Sequence, residues 1–262
     1  MASYTRRIQR PHGWSLEPFL SWMDANNVRQ GNPSLKPEFI DSYDAGIQTF
    51  IENISFSADL YYRVTHNKVE DIRSVYQGID TLKNITLNSV ENVGADYSLG
   101  SEFMMIFDPI EFWNVNLMAN LYNYKIEGLL YNEDFSRESF NWNTRLNNVF
   151  RLGTSTQMQL NLNYNGPRVS SQGRSEDSFT ADVSVKHDLF DKKLSLILQV
   201  RDLFRSAKYE STSQGPDFYS YNYFKRESPV VMFTIRINFN NYKPKSEREE
   251  GENQNGVGEE FQ

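Results

Sequence analysis

Histidines and carboxylates are the side chains of this sequence best suited to acid–base chemistry, and the histidines are few and scattered. The three histidines are His12, His66 and His187. A protease-like site would require His66 to meet Glu70 or Asp71 across neighbouring loops. The sequence has no His-Glu-x-x-His, no Gly-x-Ser-x-Gly and no glycine-rich phosphate loop. We therefore predict no catalytic, cofactor-binding or metal-binding residues, no cofactor and no enzymatic activity.

Bulk composition excludes several other classes of protein. The 262 residues contain no cysteine, so neither a disulfide framework nor a thiolate metal site can form. The formal net charge of −7 argues against nucleic acid as a partner. No run of about 18 apolar residues exists, which excludes a transmembrane helix.

The elements that must position any functional side chains are strands with a period of two. In residues 54–64, apolar side chains occupy the even positions and mostly polar ones the odd positions, so the strand has one apolar face. Its length matches the ~9–11 residues with which a tilted strand crosses a bilayer. A less regular strand covers 42–51 and a short one covers 3–8. Seven further stretches alternate in the same way: 93–107, 113–121, 140–151, 158–164, 179–189, 194–201 and 231–239.

The connections between these ten strands alternate between short and long. Short turns are predicted at 52–53, 108–111, 153–156 and 191–192, and long polar connections at 9–39, 73–90, 127–138, 166–177 and 203–228. In outer-membrane barrels, short turns face the periplasm and long loops face outside. Aromatic residues make up 14% of the chain, which suits the girdles at the two membrane interfaces.

The predicted fold class is therefore all-β: an antiparallel, up-and-down transmembrane β-barrel segment of about ten strands in the outer membrane of a Gram-negative cell. We assign residues 1–239 to this barrel portion. Residues 240–262 are rich in Glu, Asn, Lys and Gly and have few apolar side chains, so we expect a disordered, polar, periplasmic tail.

Two stretches resemble a known family. The block Gly31, Asn32, Pro33, Leu35, Lys36, Pro37 and Glu38, before a strand, resembles the barrel of TonB-dependent outer-membrane receptors. The preceding Arg-Pro and Leu-Glu-Pro-Phe elements are similar to the branch common in Bacteroidetes-type bacteria. Residues 194–204 and 230–239 are similar to the last two strands of that family, and Phe239 is the aromatic residue that closes the final strand. The resemblance covers nearly all of residues 3–239.

The resemblance implies the C-terminal portion of a receptor for nutrient uptake. The family's barrel has about 22 strands around a plug, so the implied partners are outer-membrane lipid, the plug domain and the remaining barrel strands. TonB would act only through N-terminal parts, and a surface lipoprotein is a further candidate partner. Because the chain contains no signal sequence, plug or TonB-interacting segment, we expect it not to transport alone. We also expect an open, curved sheet with free edges at 3–8 and 230–239.

Two alternatives remain open from the residues. One is a complete small ten-stranded barrel that acts as a pore or a rim-site enzyme. The other is a soluble β-sandwich binding module whose outward faces pack on another sheet.

The ligand-binding residues are not identified by the sequence, although two groups are candidates. Eight asparagines share the predicted inner face of three consecutive strands, where they could contact a plug, a polar ligand or only water: Asn114, Asn116, Asn120, Asn141, Asn143, Asn147, Asn161 and Asn163. Alternate tyrosines at Tyr219, Tyr221 and Tyr223 indicate either a ligand-binding loop or a strand that extends above the membrane.

Overall fold

The computed structural model describes residues 1–76, 78 and 85–239, and the expected disordered tail at 240–262 lies outside them. One 3₁₀ turn, Gly13–Leu16, interrupts a chain built of strands. No helix in these described ranges is long and apolar enough to cross a membrane. The strands are β1 Ala2–Gln9, β2 Ser21–Asp24, β3 Asn27–Arg29, β4 Glu38–Ile51, β5 Ile54–Val75, β6 Thr86–Ile110, β7 Trp113–Leu130, β8 Glu133–Leu152, β9 Thr156–Asn165, β10 Arg168–Val169, β11 Gly173–Ser175, β12 Ser178–Leu189, β13 Leu194–Arg201, β14 Lys208–Gln214, β15 Tyr219–Lys225 and β16 Val230–Ile237.

Ten of these strands form one antiparallel sheet in the order β1-β4-β5-β6-β7-β8-β9-β12-β13-β16. They correspond one to one with the ten predicted strands. Strands β1 and β16 stand at opposite ends of the order and do not pair with each other in the described chain. The prediction of an open partial barrel is therefore confirmed, and a small closed ten-stranded barrel is not what the chain forms.

The outer face of this sheet is apolar and exposed. On β7 the outward positions from Trp113 to Leu121 are apolar over nine residues, and Asn123 and Lys125 follow. Trp113 stacks on Phe150 near the short turns, with ring centroids 5.6 Å apart. Aromatic pairs Tyr4–Tyr43 and Tyr43–Tyr62 lie towards the other end of the sheet. An apolar band of this length between aromatic belts fits lipid contact and does not fit a soluble sandwich, whose apolar faces are covered.

Four central strands are longer than a bilayer requires, and they extend past the long-loop end. Ile72, Val93, Ile126 and Leu130 pack there on the inner side of the sheet. The predicted long connection at 127–138 is wrong, because β7 and β8 continue and meet in a two-residue turn at Tyr131 and Asn132, both with positive φ. Burial of the apolar cluster explains why the strands continue into this region.

Three of the other predicted long connections also contain paired strands. Strands β10, β11, β14 and β15, from 166–177 and 203–228, form a separate four-stranded sheet. Strands β2 and β3 form a hairpin within 9–39, and β3 runs parallel to β6. The physical reason is that backbone N–H and C=O groups shielded by neighbouring loops need hydrogen-bond partners, and strand pairing supplies them.

Candidate functional site

The first half of the resemblance block, residues 31–35, is tied to the 3₁₀ turn. The backbone N–H of Gly31 donates to the carbonyl of Glu17 (2.8 Å), and that of Asn32 donates to the carbonyl of Ser15 (2.6 Å). A Cβ at Gly31 would lie 2.6 Å from the Ser15 carbonyl oxygen, so only glycine permits this approach. The Asn32 side chain accepts the N–H of Ser34 (2.9 Å), which fixes the turn into Pro33 and the buried Leu35.

The second half of the block clamps the region where β5 bulges. Asn92 on β6 accepts from the Lys36 N–H (2.8 Å) and donates to the carbonyls of Lys36 (3.0 Å) and Asn67 (2.7 Å). Asn67, which has a positive φ, donates in turn to the Pro37 carbonyl (3.2 Å). One asparagine side chain therefore joins the incoming loop to both strands of the bulge.

The last residue of the block, Glu38, is buried and holds a lysine. Its carboxylate accepts the Val69 N–H (2.7 Å) and lies 3.5 Å from the Lys68 ammonium, which also lies 3.5 Å from Asp96. Burial alone would lower the pKa of Lys68, but the carboxylates of Asp96 and Glu38 raise it above its ordinary value. These contacts indicate that the block anchors the N-terminal loop to the sheet. Phe239, the other resemblance residue, is highly exposed two positions beyond β16.

Two of the histidines contact polar side chains on the outer face of the sheet. His66 lies on the outer face, where its Nε2 is 3.3 Å from Asp41, and Asp41 also accepts the Tyr4 hydroxyl (2.7 Å). Glu70 lies past the bulge on the inner face, so it is not the partner of His66 that a protease-like site would require. On the outer face near the short turns, Nδ1 of His187 lies 2.8 Å from the Thr156 hydroxyl oxygen. No group of acidic and histidine side chains in the described residues could hold a metal ion.

The predicted asparagine face lies on the concave side of the sheet. Asn116, Asn147 and Asn161 are in register on β7, β8 and β9. Beside them, Arg145 donates to the Asn163 side chain (3.0 Å). A hollow of about 640 Å³ opens here, with polar side chains and two methionines along its wall: Ser57, Asp59, Glu102, Met104, Met118, Asn120, Asn143, Arg145, Asn163 and Asn165. The surface suits a polar body such as a plug, and its role stays a prediction.

A buried glutamine docks the four-stranded loop sheet onto the wall. Gln172, between β10 and β11, accepts the Arg73 N–H (2.8 Å) and donates to the Arg73 carbonyl (2.8 Å) and to the Tyr131 hydroxyl oxygen (2.6 Å). Tyr131 donates to the same carbonyl. Nothing in the sequence around Gln172 signals this contact, because its partners are 41 and 99 positions away.

Replacement of Gln172 by alanine is expected to loosen this docking by about 2–3 kcal/mol, since each lost bond contributes about 1 kcal/mol and leaves buried partners unsatisfied. Hydrogen exchange at the Arg73 amide should then accelerate roughly 30- to 150-fold. Gln214→Ala on the exposed end of β14 is the matched control. Unchanged exchange at Arg73 in the Gln172 variant would contradict the docking role.

The neighbouring Ser171 docks on Glu70, beyond the membrane-crossing part of β5. Both the N–H and the hydroxyl of Ser171 donate to one Glu70 carboxylate oxygen (3.1 Å each). Burial raises the pKa of Glu70, and the Ser171 bonds and Lys68 offset only part of that effect.

A pH dependence of loop docking follows from this raised pKa. The docked state binds the Glu70 proton more tightly than a state with the carboxyl in water. Docking should therefore be strongest below the ordinary value of 4.5 and weaken as the pH rises through the raised pKa. Exchange protection of residues 170–173, corrected for intrinsic rates, should fall as the pH rises above about 4.5. Glu70→Gln should flatten this profile, and a profile that keeps its slope in the variant would assign the titration to another group.

The tyrosine segment 217–224 contains strand β15, and Tyr219, Tyr221 and Tyr223 share one exposed face of it. The Tyr221 hydroxyl donates to Glu210 on β14 (3.0 Å). The segment is therefore a strand, as one of the two alternatives expected, and its position above the membrane and ligand contact by these rings stay predictions.

The chain is similar in sequence to a known protein family and in fold to solved receptor structures. A family model described as the outer membrane protein beta-barrel family matches residues 1–240. No curated protein matches the sequence.

Among solved structures, the siderophore receptor PirA from Pseudomonas aeruginosa is 14% identical, with a TM-score of 0.58 over 90% of this chain and 39% of that chain. A mutant of the ferric enterobactin receptor PfeA from Pseudomonas aeruginosa, in complex with enterobactin, is 16% identical, with a TM-score of 0.52 over 78% of this chain and 33% of that chain. The likeness is one of fold, and the chain spans less than half the length of either receptor.

Proposed function

The chain belongs to the outer membrane protein beta-barrel family and lies in the outer membrane, and from that premise we propose that it is the C-terminal barrel portion of a TonB-dependent receptor for nutrient uptake. One observation carries the proposal. The ten strands form an open sheet whose two edge strands do not pair in the described chain, and this sheet is similar to about two-fifths of a siderophore receptor. Free edges of this kind fit strands that are completed by the rest of a larger barrel.

The partners of the proposed receptor follow from the faces and edges of the sheet. The outer face contacts lipid, and the edges at β1 and β16 pair with the remaining strands of a longer protein. The part of the asparagine-rich inner face around Asn116, Asn147 and Asn161 meets a plug domain, which other parts of the receptor connect to TonB. The Arg-Pro and Leu-Glu-Pro-Phe elements before the Gly31 to Glu38 block support the Bacteroidetes-type branch, and a surface lipoprotein is a further partner in this proposal. Residues 240–262 form a polar periplasmic tail.

This function requires no enzyme chemistry from the chain. The family consists of outer-membrane barrels, and the similar solved structures are receptors. His66 lies against Asp41 on the outer face and not against a carboxylate on the inner face of the sheet. The nutrient classes consistent with such a receptor are metal chelates, glycans and peptides.

The experiment that tests the proposal compares the chain alone with the complete reading frame that contains it. The coding DNA next to residue 1 is read, and both products are expressed and recovered from outer membranes. The complete product should migrate as a compact, heat-modifiable barrel that resists protease, and the chain alone should not. A chain that by itself forms a sealed, protease-resistant pore in liposomes would overturn the proposal.

A further inference from the structure

A second inward cavity, of about 380 Å³, lies where the wall strands β5 to β8 meet β10. Three basic side chains, Arg63, Lys68 and Arg168, line it against one carboxylate, Asp96. Glu38 also lies 3.5 Å from the Lys68 ammonium, so three cations stand against two carboxylates, an excess of one positive charge in a protein whose net charge is −7. The cavity is therefore positive although the chain as a whole is acidic.

The two arginines are the cations of this cavity that have no carboxylate partner. Lys68 is already compensated, with Asp96 and Glu38 each 3.5 Å from its ammonium. Neither Arg63 nor Arg168 forms an ion pair with any carboxylate of the described residues. A guanidinium presents paired N–H donors that match a carboxylate, so the two arginines that line this cavity suit an anion.

Two buried polar atoms in the cavity wall have no partner. Asn141 is only 1% exposed, and its Nδ2 donates to the Ser139 hydroxyl (3.1 Å), yet its Oδ1 accepts no hydrogen bond from the described residues. The Nε of Arg63 is also buried, and its N–H donates no hydrogen bond to the described residues. Buried polar groups in folded proteins are nearly always paired, so a ligand in this cavity can supply a donor to Asn141 and an acceptor to Arg63.

Tyr61, whose side chain passes over Gly100, holds the Arg63 guanidinium in place. The Tyr61 hydroxyl reaches Asn120 on β7 (3.0 Å), and a Cβ at the intervening Gly100 would lie 2.6 Å from that hydroxyl. The Arg63 guanidinium carbon lies 5.0 Å from the centroid of the Tyr61 ring. This stacking orients the guanidinium before any ligand arrives, which reduces the entropy lost on binding.

We propose that this cavity binds an acidic sugar of the imported nutrient, with Arg63 and Arg168 on its carboxylate and Asn141 on a hydroxyl. The carboxylate accounts for the unpaired arginines, and hydroxyl groups account for the free Asn141 oxygen. Two partly exposed tyrosines of the wall, Tyr122 and Tyr124, add ring surface against which a sugar ring can pack. The inference rests on the proposed function, because it names the class of nutrient that the receptor recognises.

The test is calorimetric titration of the complete receptor, in detergent, with an oligogalacturonate and with the neutral galacto-oligosaccharide of the same length. We expect the acidic oligomer to bind at least about ten times more tightly than the neutral one. Arg63→Gln and Arg168→Gln should each weaken acidic binding about tenfold and leave the weak neutral binding unchanged. Arg151→Gln, on the same strand face of the wall near the short turns, is the matched control.

The outcomes separate this inference from the proposed function. Equal affinity for the two oligomers, no binding of either, or full affinity in both arginine variants would overturn it, provided that each variant keeps its heat-modifiable mobility. Arg168 lies on the exposed loop strand β10, so its variant should fold even if the Arg63 variant does not. Failure of the proposed function appears instead in the closure experiment, as a sealed pore formed by the chain alone.

Discussion

Replacement of Leu117 by arginine is expected to destabilise the membrane-inserted barrel by about 2–4 kcal/mol. Leu117 points outward from the middle of the apolar stretch of β7, in register with Met105 on β6 and Leu146 on β8. An arginine there places a charge at the bilayer midplane, far from either interface. The free energy of unfolding in urea, measured for the complete receptor in lipid vesicles, reports the loss.

Two companion variants fix the interpretation of this result. Leu196→Arg, on the outer face of β13, should cost a similar free energy because Leu196 lies opposite Ile235 in the apolar band. Asn161→Arg, on the inner face of β9, should be tolerated because a charge there meets the polar wall. If all three arginine variants lost the same stability, the assignment of faces would be wrong.

Replacement of Gly128 by alanine is expected to cost about 3 kcal/mol. Gly128 has φ +157° and pairs directly with Gly94, which has φ +146°, where β6 and β7 pass the bulge. A Cβ at Gly128 would lie 1.7 Å from the Val93 carbonyl oxygen, and a backbone atom cannot move aside as a flexible side chain can. Urea unfolding of the variant, together with hydrogen exchange of β6 and β7, measures the effect.

Gly153→Ala is the control that separates backbone conformation from collision. Gly153 also has a positive φ, +73°, but a Cβ there would meet no atom within 4 Å. Its substitution should cost only about 1 kcal/mol, the penalty of a left-handed residue. Equal losses for the two glycines would show that the close approach of β6 and β7 contributes nothing.

The buried Glu38, the docking Gln172 and the positive cavity all lie towards the long-loop end of the sheet. Glu38 fixes Lys68, Gln172 fixes the loop sheet on Arg73, and Arg168 leads from that loop sheet into the cavity. Loosening the docking should therefore also disturb the position of Arg168. This coupling connects the loop sheet to the proposed ligand site through direct contacts.

The sequence by itself determined the ten wall strands, the short turns and the polarity of the two faces. A strand reverses its side-chain direction at every residue, so the alternation around Leu60 or Leu196 specifies both the strand and its outer face. The turn residues at Glu52 and Gly153 then mark the reversals. These signals are local, and they can be read without knowing what the strand pairs with.

Only the tertiary structure decided the side-chain directions past the bulge and the contacts between distant segments at the long-loop end of the sheet. Leu60 and Glu70 are both at even positions, yet one faces outward and the other inward, because the extra residue at Asn67 shifts the register. The partners of Gln172 and His66 are distant in the chain, so no local pattern indicates them. The same holds for the cavity at Arg63, whose free charge depends on which carboxylates the folded sheet brings near. Local periodicity fixes a strand's faces, whereas contacts between distant segments depend on the three-dimensional path of the chain.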